Sequence, residues 1–268
     1  MSHSLKHLLK LVVPPVLWPL ARMGKKAVIS FSGDYDSWEE ATSASTGYDA
    51  AGILERVALA TRKVVDGEAA YERDSVVFGS VEYSWPLLAA LLQVALERQS
   101  LRVIDFGGAL GSTWRQNRKF LQRLSMPVSW RVVEQQEFVA RGKEQFTDAV
   151  LGFDFDIHSA ASNGADVVLF CSSLCYVPDP SVYLREAYAS PAQYLIIDRL
   201  PVIPGSRDRI AVQKVTEPIY DASYPVRFFA EDRLFGHWLS DWRTIERWDC
   251  DLQPDRDSRS CGVFMEKK

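Results

Sequence analysis

The stretch from Leu101 to Thr113 constrains this chain more than any other. Leu101, Val103 and Ile104 are strand formers that run into Gly107, Gly108 and Gly111, after which Ser112 or Thr113 can cap a helix. Glycine lets a backbone turn sharply and approach a ligand, so strand, tight turn and helix start together predict a nucleotide-type loop. The alternative is a strand-to-helix turn whose glycines serve geometry alone. Asp105 stands inside the loop, before the first glycine, whereas a dinucleotide loop carries its first acid after the second strand.

The loop has room for a full fold around it. A chain of 268 residues with 47% hydrophobic and 25% charged content can bury one large core with an appendage. A net charge of -4 and a pI near 5.7 argue against nucleic acid as a partner. Cys171, Cys175, Cys250 and Cys261 lack the paired spacing of a zinc site, so no metal is expected and free thiols in a reducing cytosol are. The location read from this is cytoplasmic.

Residues 1–26 carry Lys6, Lys10, Arg22, Lys25 and Lys26 and no acid, around an apolar run holding Pro14, Pro15 and Pro19. That run is too short to span a bilayer. It reads as an arm that packs on the domain or lies on an anionic membrane face, which would make the protein membrane-peripheral. Ser37 and Glu40 have the spacing of a capping box, so a helix should begin at Trp38. Ile53, Val57, Ala60 and Val64 recur at helical spacing, and Ser84 to Gln99 reads as a buried helix with Pro86 in its first turn. Residues 1–99 are therefore expected to form an arm and helical cap without a second sheet, with Tyr71 to Asp74 as a connection.

Beyond the loop, strand and helix patterns alternate over residues 100–268. They predict a Rossmann-like, seven-stranded, mostly parallel sheet with helices on both faces. Helix is expected from Phe228 to Leu239, and two late strands around Thr244 to Trp248 and Gly262 to Met265 should close the sheet.

The loop, with Asp105, Gly107 and Gly111, resembles motif I of the class I S-adenosylmethionine-dependent methyltransferases, written Asp/Glu-x-Gly-x-Gly-x-Gly. Ala109 replaces the middle glycine and Gly108 is extra. Further segments carry a narrower resemblance: Phe31 to Ala41, Thr46 to Tyr48, Tyr71 to Asp74, Tyr83 to Pro86, Trp130 to Glu134, Ile197 to Arg199 and Ala222 to Pro225. These look like a family of uncharacterised bacterial proteins assigned as methyltransferases and associated with surface-polysaccharide gene sets. The resemblance implies the fold and S-adenosyl-L-methionine as cofactor, but no established acceptor or base.

Within that frame, Glu134 ends the second strand, where a carboxylate can accept from both ribose hydroxyls. Asp156, with Ile157 as apolar neighbour, occupies the place where this superfamily contacts adenine, although Asp154 alternates with it. Ser172 follows the fourth strand where the sulfonium should lie, and Tyr176 is a pocket wall or core. Arg73 is the candidate for the cofactor carboxylate, against a surface ion pair with Glu72 or Asp74. The cap should close over the cofactor. Asp198 and His237 are the candidate bases, against a structural acid and a helix-surface histidine, and Arg199 could hold an anionic acceptor.

The expected reaction is methyl transfer to a small, hydroxyl-rich acceptor such as a sugar or glycan intermediate, in a polysaccharide pathway. Trp38, Tyr48, Tyr71, Tyr176, Tyr220, Tyr224 and Phe228 cluster in segments expected at the cleft mouth, where flat rings suit sugar faces or form the seam between cap and sheet. A non-catalytic methyltransferase-like binding module is the alternative. A nicotinamide-dependent oxidoreductase or epimerase fits less well, because none of the ten tyrosines supplies the Tyr-x-x-x-Lys pair it needs.

Overall fold

The computed structural model describes residues 29–47, 50–217, 219–250 and 254–268, so the basic arm and Tyr48 lie outside the described residues. The first described element is a strand, β1 (Ile29–Tyr35), which corrects the expectation of a purely helical cap. Helix α1 (Trp38–Ser43) starts where the capping-box spacing places it, with the Glu40 N–H donating to the Ser37 hydroxyl at 3.1 Å. Helix α2 (Ala50–Val65) buries Ile53, Val57, Ala60 and Val64 along one stripe. Then β2 (Tyr71–Arg73) and β3 (Val76–Phe78) form a hairpin where a plain connection was expected. Helix α3 (Trp85–Arg98), with proline in its first turn, leads into β4 (Leu101–Phe106).

Strand and helix now alternate. They are α4 (Ser112–Leu121), β5 (Val128–Val133), α5 (Gln136–Gln145), β6 (Leu151–Asp154), α6 (Ile157–Ala160), β7 (Val167–Cys171), α7 (Pro180–Ala189) and β8 (Tyr194–Ile203). The chain ends with β9 (Arg209–Val215), β10 (Ala222–Ala230), the short α8 (Glu231–Arg233) and its π-turn over Leu234–Trp238, β11 (Trp242–Cys250) and β12 (Arg259–Lys267). Strands β6-β5-β4-β7-β8 pair in parallel in that order, and β12 joins β8 antiparallel with β11 beyond it. These seven strands make a Rossmann-like, mostly parallel arrangement, and β10, β9 and β1 extend the same sheet to ten strands among the described residues, three more than expected.

Successive strand residues supply opposite faces of that sheet. Val103, Val167, Leu169 and Ile196 join the core beneath α2, α3, α4 and α5, together with Trp114 and Phe138. Ile104, Val168, Phe170 and Ile197 join the core on the α6 and α7 side. Strands buried on both faces read as continuous apolar runs, which is why they were legible.

The antiparallel extension of the sheet was not legible. Strand β8 runs on past Asp198, its last residue paired with β7, and at Val202 and Ile203 it meets Phe229 and Ala230 of β10. Strands β10, β9 and β1 then pair antiparallel, so this layer sits beyond the carboxyl ends of the parallel strands. Phe228 is correspondingly a wholly buried strand residue, with Phe31 edge-on at 5.3 Å, rather than the start of a helix or a ring at the cleft mouth.

Candidate functional site

Asp105 is closed to solvent at the end of β4. Its Oδ2 accepts from Trp130 Nε1 at 2.9 Å, and its Oδ1 is buried without a partner. Burial pushes the carboxyl up to about 7; the Trp130 bond opposes the rise and the nearby Glu134 charge adds to it. Gly108 makes room for this group, since a Cβ there would stand 2.6 Å from Oδ2. Gly107 turns with φ +70°, and a Cβ on it would lie 2.5 Å from the Ser173 Cβ. Ala109 also takes a left-handed conformation, φ +51°, at a cost of about 1–2 kcal/mol for a side chain with a Cβ. The position still has the geometry that the resembled motif meets with glycine.

Glu134 follows β5 and reaches across to the loop. Its Oε1 accepts from the Ala109 N–H at 3.3 Å and its Oε2 from the Gln135 N–H at 2.8 Å. Burial raises its carboxyl, against the pull of those two N–H groups. Each oxygen keeps a further lone pair, so a vicinal diol could still be held. Asp105, Gly107, Gly108, Gly111 and Glu134 thus meet at the strand carboxyl ends.

The adenine-side residues are placed less directly. Asp156 Oδ1 accepts from the Ser159 N–H at 2.6 Å and lies 2.8 Å from the Ser159 hydroxyl, so the side chain caps α6, and the backbone bond from Ser159 draws its carboxyl down. Asp154 pairs with Arg131 at 2.7 Å. Ile157, read as the apolar neighbour of Asp156, has its side chain buried in the core on the α6 and α7 side.

Ser172 has φ +57° and donates its N–H to the Asp198 carbonyl at 2.9 Å, and the buried Ser173 hydroxyl has no partner. Cys171 lies within electrostatic reach of Asp105, Arg73 and Arg199, and burial pushes its thiol up to about 12. Arg73 donates to the Tyr71 hydroxyl at 2.9 Å. Glu72 turns the other way, accepting from the Ser112 hydroxyl, so it does not form the alternative surface pair with Arg73. Arg199, also left-handed at φ +56°, is nearly enclosed. Burial opposes its charge, but Cys171, Asp198 and Tyr71 hold it firmly protonated.

The two candidate bases sit in opposite surroundings. Asp198 is wholly buried, and its Oδ1 accepts from Trp248 Nε1 at 2.8 Å and Ser84 Oγ at 3.4 Å, with Cys250 Sγ at 3.5 Å. A carboxylate so surrounded ties strand ends together. His237 is exposed on the π-turn, with its ring against Trp238.

Two residues that the sequence reading passed over lie in the cleft. Asp74, at the hairpin tip, is within electrostatic reach of Arg73, Arg199, Tyr176, Tyr220 and Tyr224. Gln213 of β9 is buried; its Oε1 accepts from the Tyr176 hydroxyl at 2.9 Å and its Nε2 donates to the Tyr224 hydroxyl at 3.2 Å. The acidic Tyr71 to Asp74 run was a signal for the first. The second had none, because β9 itself was not read.

No protein-family model matches the chain, and no curated protein does. Among solved structures, it is similar to the N-terminal domain of EvdMO1 crystallised in the presence of SAH and D-fucose, at 14% identity over 80% of this chain and 97% of that one, with a TM-score of 0.49. A SAM-dependent methyltransferase from Methanosarcina mazei is similar at 14% identity, over 70% and 98%, with a TM-score of 0.48. CalS10, an amino pentose methyltransferase from Micromonospora echinaspora, is similar at 11% identity, over 69% and 92%, with a TM-score of 0.42. With each of these below 0.5, function is read from the chain's own residues.

Proposed function

We propose that the chain is a class I S-adenosylmethionine-dependent methyltransferase acting on a small, hydroxyl-rich acceptor, a sugar or glycan intermediate. The observation that carries this reading is the pairing of Glu134 with the Ala109 N–H across a glycine loop whose floor is the buried Asp105. A carboxylate placed there serves a ribose diol, and an unpartnered Asp105 oxygen beneath the loop suits a ligand bearing a positive amino group. Bound S-adenosylmethionine supplies a methyl group activated by its sulfonium.

The chain's residues divide the work of holding it. The loop from Gly107 to Gly111 takes the methionine end and Glu134 the ribose, with Arg73 for the carboxylate and Ser172 beside the sulfonium. Asp156 and the Ile157 backbone flank the adenine. The division into a cap over residues 1–99 and a methyltransferase domain over 100–268 keeps its use, because the cap delivers Arg73 to the cleft. Orientation should dominate catalysis: alignment can remove about 7–11 kcal/mol of barrier, against about 3–5.5 kcal/mol from a general base. Among the described residues no helix is long and apolar enough to cross a membrane.

Calorimetry tests the reading. S-adenosylmethionine should bind and a nicotinamide cofactor should not. Glu134→Ala should weaken binding by about 1–3 kcal/mol, the effect of leaving paired polar groups unmatched. Unchanged affinity in a folded variant would sink the assignment.

A further inference from the structure

Strands β2 and β3 meet in a tight turn whose central residues, Asp74 and Ser75, both have positive φ, +49° and +67°. Consecutive left-handed residues match the twist of a two-residue hairpin, and aspartate tolerates that conformation better than most side chains. The tip is anchored: the Ser75 hydroxyl donates to the Ile219 carbonyl at 3.1 Å. Asp74 is therefore held in place rather than waving on a loose loop.

Its surroundings are mixed in a way that suits a ligand. Asp74 is exposed at the hairpin tip, and among the described residues no Lys or Arg nitrogen comes within 4.0 Å of its carboxylate. Arg73 and Glu72 of its own strand, Arg199 of β8, Tyr176 after β7 and Tyr220 and Tyr224 on the antiparallel layer all act on it or feel its charge. Burial raises its carboxyl while Arg73 and Arg199 draw it down. Burial also raises all three phenols, so they stay protonated, with the Tyr176 proton given to Gln213.

Those phenols are fixed as a group. Tyr176, Gln213, Tyr224 and Tyr220 form one hydrogen-bonded chain, closed by a 3.0 Å contact between the Tyr220 and Tyr224 hydroxyls. Tyr176 and Tyr224 stand edge to face with centroids 5.6 Å apart. Such a wall offers hydroxyl and amide partners beside flat apolar rings. The other acids nearby are held differently: Asp105, Glu72 and Asp198 are closed to solvent and bond to Trp130, Ser112 and Trp248, and Glu134 bonds to the loop.

Resting on the methyltransferase reading, we propose that Asp74 binds the acceptor through a hydroxyl on a saturated carbon and takes that hydroxyl's proton, with the Tyr176–Gln213–Tyr224 wall holding neighbouring hydroxyls. A phenol or carboxylate arrives readily ionised and needs no base, whereas a sugar hydroxyl does. Asp74 accepts the proton as the hydroxyl oxygen's electron pair forms the new bond to the methyl carbon. The electron pair of the broken carbon–sulfur bond stays on sulfur, leaving a neutral thioether. Asp74 is thereby a catalytic residue of the acceptor side.

The test uses the full chain with three probes: S-adenosylhomocysteine in calorimetry, a panel of neutral methyl glycosides as acceptors, and a catechol and a benzoate for contrast. Wild type should bind S-adenosylhomocysteine and methylate at least one glycoside. Asp74→Asn should bind S-adenosylhomocysteine within about twofold of wild type but lose about 10²–10⁴-fold in kcat, and with it the rise of rate with pH. Asp74→Glu should recover part of the rate and the pH profile. Full turnover by Asp74→Asn overturns the proposal, as does a preference for the catechol or benzoate, or glycosides left untouched by a chain that binds S-adenosylhomocysteine. If wild type does not bind S-adenosylhomocysteine at all, the methyltransferase reading itself has failed, and this proposal with it.

Discussion

The parallel half of the molecule and the antiparallel layer above it carry the two sides of the cleft, and they are built on different principles. In the parallel half, Asp105, the loop and Glu134 lie on neighbouring strands, one crossover helix apart, and each strand end is fixed by its own apolar run. The antiparallel layer gathers β1, β9 and β10 from opposite ends of the chain, and it is tied to the parallel sheet at the tip of β8 and through packing. One half is specified locally; the other exists only once distant segments have met. The candidate cofactor residues belong mainly to the first and the candidate acceptor wall mainly to the second, which lets acceptor choice vary without disturbing cofactor binding.

The largest effect should come from the packing that holds the layer down. Phe228 is wholly buried, with Phe31 of β1 at 5.3 Å on one side and the Arg209 guanidinium 4.1 Å from its ring. Phe228→Ala should cost about 3–5 kcal/mol in urea denaturation. In the molecules that remain folded, affinity for S-adenosylhomocysteine should hold, because Phe228 belongs to β10 of the antiparallel layer and the loop and Glu134 to the ends of β4 and β5. A parallel loss of cofactor affinity would erase the distinction between the two halves.

A second effect belongs to the parallel half and depends on pH. With its carboxyl pushed up to about 7, Asp105 keeps in the folded state a proton that the unfolded chain releases near pH 4. The folded state then binds more protons between those values, so stability falls as pH rises through that window and levels off above about 7. Glu72, also raised to about 7 by burial, contributes with the same sign. Asp105→Asn removes one of the two contributions and should gain about 3 kcal/mol relative to wild type between pH 4.5 and 8. Denaturation curves at those two pH values that shift equally in both proteins would place the charge elsewhere.

How much the sequence disclosed follows the same division. That Gly107, Gly111, Asp105 and Glu134 come together was legible because the glycine turn and the polar strand ends are visible within about thirty residues of one another. The β7 and β8 runs were legible from continuous apolar content. β9 and β10 were not: Arg209 to Val215 mixes charge with short apolar residues, and β10 contains Pro225, which argues against a strand when read alone. Pro225 is accommodated opposite Val212 only because β1 and β9 are already there. The partners of Asp198 were illegible for a related reason, since Trp248 and Ser84 are far away in sequence and nothing local announces them.

The smallest effect tests whether α1 is stitched to the antiparallel layer or merely rests on it. After α1, the Thr46 N–H donates to the Ser223 hydroxyl at 2.8 Å, the Ser223 N–H donates to the Thr46 hydroxyl at 3.0 Å, and Gly47 bridges Ser223 through the backbone. Ser223→Ala removes the first of these and the 3.1 Å bond between the Thr46 and Ser223 hydroxyls, leaving the Thr46 N–H without its acceptor, while the backbone bridge and the bond from the Ser223 N–H to the Thr46 hydroxyl remain. The seam is only partly buried, so water can compensate some of the loss, and the cost should be about 1 kcal/mol. Hydrogen exchange reads the same event locally. If the seam is a stitch, the Gly47 amide, which donates to the Ser223 carbonyl at 3.0 Å, should exchange about fivefold faster in the variant, while amides of β4 and β5 are unchanged. Equal acceleration in β4 and β5 would mean that the layer and the parallel sheet open together, and the contrast between the halves would then concern how they are encoded rather than how they hold.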